Sequence, residues 1–148
     1  LSWRTVLHKR AAYRKAFANF DPRRVARFDA RQVKMLLKNA GIIRNRLKLE
    51  AAVKNARGFL AAQEEFDGFH RYLWSFVGNQ PIQHRFASAK ELPATSAESD
   101  AMSRALKKRG FSFVGSTICY SLMQAVGMVN DHVVGCHRHE IVRRLSSQ

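Results

Sequence analysis

Acidic side chains are scarce in this sequence. Only 11 Asp and Glu stand against 26 Lys and Arg among 148 residues, which leaves a formal net charge of +15. Such an excess is hard to explain in a protein that binds small neutral ligands. In a protein that binds a polyanion it favours binding, because each Lys or Arg that meets a phosphate releases condensed counterions. The charge therefore favours a polyanionic partner. Nucleic-acid binders and some membrane-surface proteins share it, so it indicates a class of partner and no chemistry.

Long apolar runs and cysteines are also few. No stretch approaches the roughly 18 consecutive apolar residues of a membrane span, and no signal peptide is visible. The two cysteines, Cys119 and Cys136, do not make a disulfide framework in a chain of this size, so we expect a reducing, cytoplasmic setting. Hydrophobic residues make up 46% of the chain, enough to build the core of one domain, with or without two lobes.

Alternating strand patterns are missing, and apolar residues recur instead at helical spacing. Asp21-Pro22 and Asp29 are typical helix starts, and Gly110 is a typical helix end. The aromatic-rich segment 66–77 is predicted to be the most buried helix, and residues 78–96 to be a long connection between lobes. The sequence therefore predicts an all-α fold. The predicted helices span about residues 2–19, 22–28, 30–39, 45–59, 66–77, 96–106 and 116–126.

A helix–hairpin–helix is predicted over residues 32–60. Gly41 allows a tight turn, Ile42-Ile43 can anchor the hairpin in the core, and the second helix begins near Asn45. Such a turn directs backbone N–H groups and a helix N-terminus at one point, which suits a phosphate. An ordinary αα-hairpin with a solvated basic turn is equally compatible with the pattern. The cations around the turn are Arg44, Arg46 and Lys48.

Two other features are compatible with DNA. A run of four cations before Gly110 is suited to a second stretch of backbone, although such a run is usually a solvated helix face. Trp3 offers a surface for stacking on an everted base, but core packing is the commoner fate of tryptophan, and we expect it for Trp74. No catalytic dyad or triad stands out, and no acid after the hairpin is marked as a general base. The four cations are Arg104, Lys107, Lys108 and Arg109.

His132 and Cys136 have the spacing of one half of a zinc site. A structural zinc site needs four ligands, and the neighbouring His137 and His139 rarely complete a tetrahedron from adjacent positions. The pair is therefore either half of a site whose partners lie elsewhere or an ordinary turn. Spacing alone favours the ordinary turn.

Several stretches, collinear from Leu1 to about Cys136, resemble the 3-methyladenine DNA glycosylase I family. The tail, residues 137–148, lies outside the resemblance. The matching stretches are Leu1-Ser2-Trp3, Thr5-Val6-Leu7, Asn39-Ala40-Gly41-Ile42-Ile43-Arg44, Trp74-Ser75-Phe76-Val77, Ser99-Asp100-Ala101, Leu106-Lys107-Lys108-Arg109-Gly110-Phe111, Phe113-Val114-Gly115, Thr117-Ile118-Cys119-Tyr120 and Asn130-Asp131-His132-Val133-Val134-Gly135-Cys136.

The resemblance implies an all-α, two-lobed fold of the helix–hairpin–helix DNA glycosylase type, as one helical domain over residues 1–148, with DNA bound across the cleft. It implies a monomeric, monofunctional glycosylase that flips 3-methyladenine out of alkylated double-stranded DNA and hydrolyses its N-glycosidic bond in base-excision repair. Methylation at N3 places a positive charge on adenine, so the base leaves without strong protonation.

The resemblance also implies roles for particular residues. Trp3 corresponds to the aromatic that stacks on the damaged base, and Leu1 to the wedge that enters the duplex. His132 and Cys136 correspond to the C-terminal half of a structural zinc site that ties the chain ends together. The remaining DNA-binding residues it implies are Gly41, Ile43, Arg44, Arg46 and Lys107.

The family's N-terminal segment, with the other two zinc ligands and the glutamate that recognises the base, has no counterpart in this sequence. We therefore expect the recognising Glu upstream of Leu1 and name no catalytic residue in the chain. The alternative function is a non-catalytic helix–hairpin–helix module that only holds DNA. A basic RNA-binding protein of the ribosome is a third, weaker hypothesis.

Overall fold

The computed structural model describes residues 2–145 and divides into two compact units. Unit 1 comprises Leu1–Glu65 and Gly110–Phe113, and unit 2 comprises Phe66–Arg109 and Val114–Gln148. Leu1, the expected wedge, lies outside the described residues. None of the described helices is long and apolar enough to cross a membrane.

Helices account for most of the described backbone, and two short strands, β1 (Ile82–Gln83) and β2 (Val129–Asn130), pair in parallel. The predicted all-α class is therefore confirmed. The helices are α1 (Trp3–His8), α2 (Arg10–Ala16), α3 (Pro22–Val25), α4 (Ala30–Lys38), α5 (Arg46–Glu65), α6 (Phe69–Trp74), α7 (Ala97–Lys108), α8 (Ser116–Ala125) and α9 (His137–Leu145).

Unit 1 is built from α1 to α5, and local side-chain caps set the starts of α3 and α4. The Asp21 carboxylate accepts from the amides of Arg23 and Arg24, and Asp29 forms a reciprocal capping box with Gln32. Each cap satisfies amides that the first helical turn leaves without a partner, so the helix begins at that residue. The buried residues of the unit 1 core are Phe17, Val25, Val33, Leu36, Ile42, Leu49 and Val53.

Gly58 lies in the middle of α5, where glycine normally costs about 1 kcal/mol relative to alanine. The ring of Phe111 explains it, because a Cβ built on Gly58 would lie 2.7 Å from Phe111 Cε2. Phe111 is 9% exposed and belongs to the short segment that returns to unit 1. The glycine therefore makes room for the aromatic ring that attaches this segment to α5.

Unit 2 is centred on α7 and α8, which share small and flexible side chains. The Ser99 and Ser116 hydroxyls lie 2.8 Å apart, and the Ser103 hydroxyl donates to the carbonyl of Val114 at 2.7 Å. These short contacts bring the two helices close together. The fully buried methionines of this unit are Met102, Met123 and Met128.

The structure corrects several sequence-based expectations. The helix predicted from residue 2 to 19 is two helices joined at Lys9. Segment 66–77 is not the most buried helix: Tyr72 alone is buried in α6, whereas four residues of α7 are, and Trp74 is only half-buried. Residues 78–96 lie wholly within unit 2 and so do not connect the units.

Replacing Gly58 by alanine will place a methyl group inside the contact distance of the Phe111 ring. We expect the free energy of unfolding to fall by about 1–3 kcal/mol, because overpacking outweighs the better helix propensity of alanine. Urea unfolding of the variant measures this loss. The double variant Gly58→Ala/Phe111→Leu should recover part of it, and an equal or greater stability of Gly58→Ala alone would contradict the assigned contact.

Candidate nucleic-acid interface and metal site

The positive charge is concentrated in unit 1. Its sequence holds 16 Lys and Arg against 5 Asp and Glu, a net +11, whereas unit 2 holds 10 against 6, a net +4. In the described part of unit 1, Arg46 and Glu50 form an ion pair at 3.5 Å. Most of these cations therefore face solvent without a carboxylate, as a surface that meets phosphates requires.

The predicted hairpin lies between the end of α4 at Lys38 and the start of α5 at Arg46. Ile42 is its core anchor, only 2% exposed. A Cβ on Gly41 would lie 3.1 Å from Ala12 Cβ and 3.0 Å from Asn39 Oδ1. Gly41 thus leaves room for the close approach of the hairpin to α2, and its φ is not among the positive values that favour glycine.

Two further hydrogen bonds attach the hairpin to the preceding helices. The Ile43 amide donates to the Tyr13 hydroxyl at 3.1 Å, and Lys9 Nζ donates to the Ala40 carbonyl at 2.8 Å. Sequence reasoning missed both Tyr13 and Lys9. Both contacts span about thirty positions of sequence, so no local pattern marks them.

Three consecutive or nearly consecutive amides of the hairpin remain unpaired. Asn45 caps α5 by accepting from the Lys48 amide at 3.1 Å. Among residues 2–145, the backbone N–H groups of Arg44, Arg46 and Leu47 have no hydrogen-bond acceptor. All belong to exposed residues around the start of a 20-residue helix, so they form a ready site for an anion.

Trp3 is not a core residue in the described chain, because it is 83% exposed on α1. Trp3, Gly41, Ile43, Arg44 and Arg46 all belong to unit 1. An exposed indole is available for stacking, which is compatible with the role that the resemblance implies.

The second basic cluster belongs to unit 2 and divides into two kinds of residue. Lys107 is exposed on α7. The Arg109 guanidinium instead lies over the rings of Phe66 and Tyr72, at 4.7 and 4.9 Å from their centroids. Arg109 therefore packs as a cation–π partner, whereas Arg104, Lys107 and Lys108 are exposed.

His132 and Cys136 are brought together in unit 2, with His132 Nδ1 3.7 Å from Cys136 Sγ. Tetrahedral zinc with Zn–S of about 2.3 Å and Zn–N of about 2.0–2.1 Å holds S and N about 3.6 Å apart. The pair therefore fits two of four ligand positions. Within residues 2–145 no group of three or more His, Cys, Asp or Glu side chains is arranged to hold a metal.

His139, considered from sequence as a further ligand, has a different role. It is buried, and its Nε2 lies 2.9 Å from the His84 carbonyl. The Asn130 amide group donates to the His139 carbonyl at 3.0 Å and to Gln83 Oε1 at 2.9 Å. His139 thus joins α9 to the two strands and is not free to bind a metal through Nε2.

Asp131 supports the residues beside the His132–Cys136 pair. Its Oδ1 lies 2.6 Å from His84 Nδ1, and its Oδ2 accepts from Gln124 Nε2 at 2.7 Å. Burial alone would raise the pKa of Asp131, but the hydrogen bonds from Gln124 and His84 outweigh it and lower the pKa. The carboxylate is therefore held in its charged form where the chain leaves β2.

Replacing Asp131 by asparagine removes the charge and exchanges one of its two acceptor oxygens for an NH2 group, so Gln124 or His84 loses its acceptor. We expect a loss of about 1–3 kcal/mol in the free energy of unfolding at neutral pH. Because the folded pKa is lowered, the stabilisation is present above the unfolded value of about 3.9 and disappears as pH falls through the folded value. The difference between the proteins should therefore shrink in acid.

Denaturant unfolding at neutral pH and at about pH 3 measures the effect. Glu64→Gln, which changes an exposed acid on α5, is the matched control and should change stability little. A loss for Asp131→Asn that is the same at both pH values would contradict the charged-form assignment.

Comparison with known proteins supports one family. The sequence profile described as methyladenine glycosylase matches residues 1–139. The DNA-3-methyladenine glycosylase 1 of Escherichia coli (strain K12) is 52% identical over 136 residues, which are 92% of this chain and 73% of that protein. The DNA-3-methyladenine glycosylase of Haemophilus influenzae (strain Rd) is 46% identical over 136 residues, again 92% of this chain and 74% of that protein.

A solved structure agrees with the sequence matches. The structure that describes 3-methyladenine recognition by 3-methyladenine DNA glycosylase I from Staphylococcus aureus has a TM-score of 0.87 at 33% identity, covering 93% of this chain and 73% of that one. The resemblance read from the sequence is confirmed. The chain belongs to the methyladenine glycosylase family.

Proposed function

We propose that the protein is a monofunctional DNA glycosylase that removes 3-methyladenine from alkylated DNA in base-excision repair. The observation that carries this is the match to the family along residues 1–139. The Escherichia coli and Haemophilus influenzae relatives are named for this activity, and the Staphylococcus aureus structure concerns recognition of this base. The basic surface of unit 1 is the kind of surface that such a substrate needs.

The hairpin is the proposed backbone-binding element. The free amides of Arg44, Arg46 and Leu47 are suited to one phosphate, and the side chains of the two arginines add positive charge around it. Such contacts fix the position of a duplex without reading its sequence, which suits an enzyme whose target is a lesion. We infer duplex DNA as the substrate, a monomeric enzyme and a further phosphate contact from Lys107.

Recognition requires that the damaged base leave the stack and lie against an aromatic face. Methylated adenine is cationic, and a cation is attracted to the face of an indole. Trp3 is proposed to supply this face. Leu1, proposed as the wedge that fills the vacated space, lies outside the described residues.

Bond cleavage then needs little assistance. As the bond from the sugar C1′ to the base breaks, its electron pair moves onto the base, which leaves as neutral 3-methyladenine. Water adds its oxygen to C1′ and loses a proton. The charge that an acid would otherwise supply is already on the base, so the protein contributes binding and positioning.

Trp3→Ala should lower the release of 3-methyladenine from methylated duplex DNA by about 10- to 100-fold, since stacking on an aromatic contributes about 1–3 kcal/mol per base. The measurement is chromatography of the released base, using the protein at the full length its gene encodes. Ile141→Ala, at another exposed apolar residue, is the control and should keep wild-type activity. Wild-type protein that binds methylated DNA without releasing any base would support the non-catalytic DNA-binding alternative instead.

We further propose that His132 and Cys136 contribute two ligands to one structural zinc ion. Their separation of 3.7 Å supports this, as does the pairing of a thiol with an imidazole, both of which zinc prefers. Zinc with four protein ligands would stabilise the fold and take no part in the reaction. Asp131 and the strand pair hold the segment from which both ligands project.

The zinc proposal predicts one zinc per chain in the full-length protein by elemental analysis after removal of loosely bound metal. Cys136→Ser and His132→Gln should each lose most of the zinc and unfold at lower temperature. His137→Gln changes the exposed neighbour and should retain both zinc and stability. Retention of tightly bound zinc by Cys136→Ser would contradict the assignment of this ligand.

A further inference from the structure

A groove with a volume of about 260 Å³ lies between α4 and α5 in unit 1. It is lined by one face of each helix, because its α5 residues follow helical spacing from Arg46 through Glu50 and Val53 to Arg57. It shares only Arg46 with the hairpin. The cations that line it are Lys34, Arg46, Lys54 and Arg57.

Two acids also line the groove, and both are already engaged. The Asp29 carboxylate accepts from the Gln32 amide at 2.8 Å as the cap of α4. Glu50 lies 3.5 Å from Arg46. The acids therefore neutralise the start of α4 and the hairpin end of the groove, and leave the other three cations without a carboxylate.

Those three cations are exposed and positioned for an external anion. Among the described residues, Lys34 and Lys54 make no hydrogen bond or ion pair. Arg57 Nε donates to the Ala26 carbonyl at 2.8 Å, which fixes the guanidinium and leaves its terminal nitrogens without an acceptor in the described chain. A guanidinium held in this way loses little further freedom when it binds a phosphate.

The positive surface continues beyond the groove along α4. Arg31 and Lys38 stand three residues before and four residues after Lys34, so all three occupy neighbouring positions on one helix face. Both are exposed. The twelve residues of α5 from Arg46 to Arg57 extend about 16 Å. This length accommodates more than one phosphate, since phosphates of one strand follow at about 3.4 Å along the duplex axis.

We propose that the α4–α5 groove binds the phosphodiester backbone of duplex DNA, as a contact additional to the hairpin amides. The proposal rests on the proposed function, in which the substrate is DNA. It extends the phosphate contacts from the hairpin amides to the groove of unit 1. Charge complementarity identifies the occupant, because three cations without a carboxylate line the groove and two more are exposed beside it on α4. Lys34 and Lys54 provide point charges, and Arg57 a planar fork for phosphate oxygens.

The test is the salt dependence of binding to a short undamaged duplex. Each lost phosphate contact makes the slope of log K against log salt shallower by about 0.9. Lys34→Gln/Lys54→Gln should therefore have a slope shallower by about 1.8, and an affinity lower by tenfold or more at about 0.1 M salt. The full-length protein is titrated from about 50 to 200 mM salt.

Two controls distinguish the loss of phosphate contacts in the groove from a general effect of lower net charge. Arg85→Gln/Lys90→Gln removes the same charge from exposed positions of unit 2 and should keep the wild-type slope. Lys34→Arg/Lys54→Arg keeps the charge in the groove and should also keep the wild-type slope. Because all four lysine and arginine positions are on the surface, circular dichroism and unfolding curves should match for all variants.

An unchanged slope for Lys34→Gln/Lys54→Gln, or an equal change for the unit 2 control, overturns the groove proposal. Neither result bears on base release, which is measured separately with methylated DNA. Conversely, the wild-type protein could release no 3-methyladenine while the Lys34→Gln/Lys54→Gln variant still shows the predicted change of slope. That result would support the groove as a DNA contact and reject the proposed reaction. Tighter competition by structured RNA than by duplex DNA would assign the groove to RNA and overturn the proposal.

Discussion

The close approach of the hairpin to α2 is the constraint on which the DNA-binding part of unit 1 depends. Gly41 brings the turn against Ala12, Ile42 enters the core, and the Tyr13 hydroxyl accepts the Ile43 amide. These contacts hold the first half of the turn against α2, and the amides that follow, at Arg44, Arg46 and Leu47, have no acceptor in the described chain. The contacts that fix Gly41–Ile43 thus also position the proposed anion site that follows, at the amides of Arg44, Arg46 and Leu47.

The same unit concentrates charge that works against its own stability. A net +11 on a compact unit implies self-repulsion, which screening reduces but does not remove. The seven buried apolar residues of its core and the side-chain caps oppose that repulsion. A polyanion that binds these cations would relieve the repulsion, so the composition of the chain, the hairpin and the groove are all suited to the same kind of partner.

Local features of the fold were predictable from sequence, and long-range ones were not. Asp21 and Asp29 begin helices as expected, because a cap acts within three residues of itself. The β1–β2 pair escaped prediction, since two-residue strands 47 positions apart carry no periodic signal. Gly41 was expected to allow a tight turn, whereas in the structure it lies where a side chain would have little space. Trp3 owed its assignment to the family resemblance alone.

The His132–Cys136 pair shows how non-local contacts can determine a local arrangement. His132 and Cys136 are four residues apart, but nothing in that spacing fixes the direction of the segment. The direction comes from β1, which pairs with β2 just before the segment, and from His139, which joins α9 to β1 just after it. Asp131, held by His84 and Gln124, fixes the exit from β2. Both ends of the six-residue segment are therefore anchored, so a 3.7 Å pairing of thiol and imidazole is sustained by the protein without requiring the metal to create it.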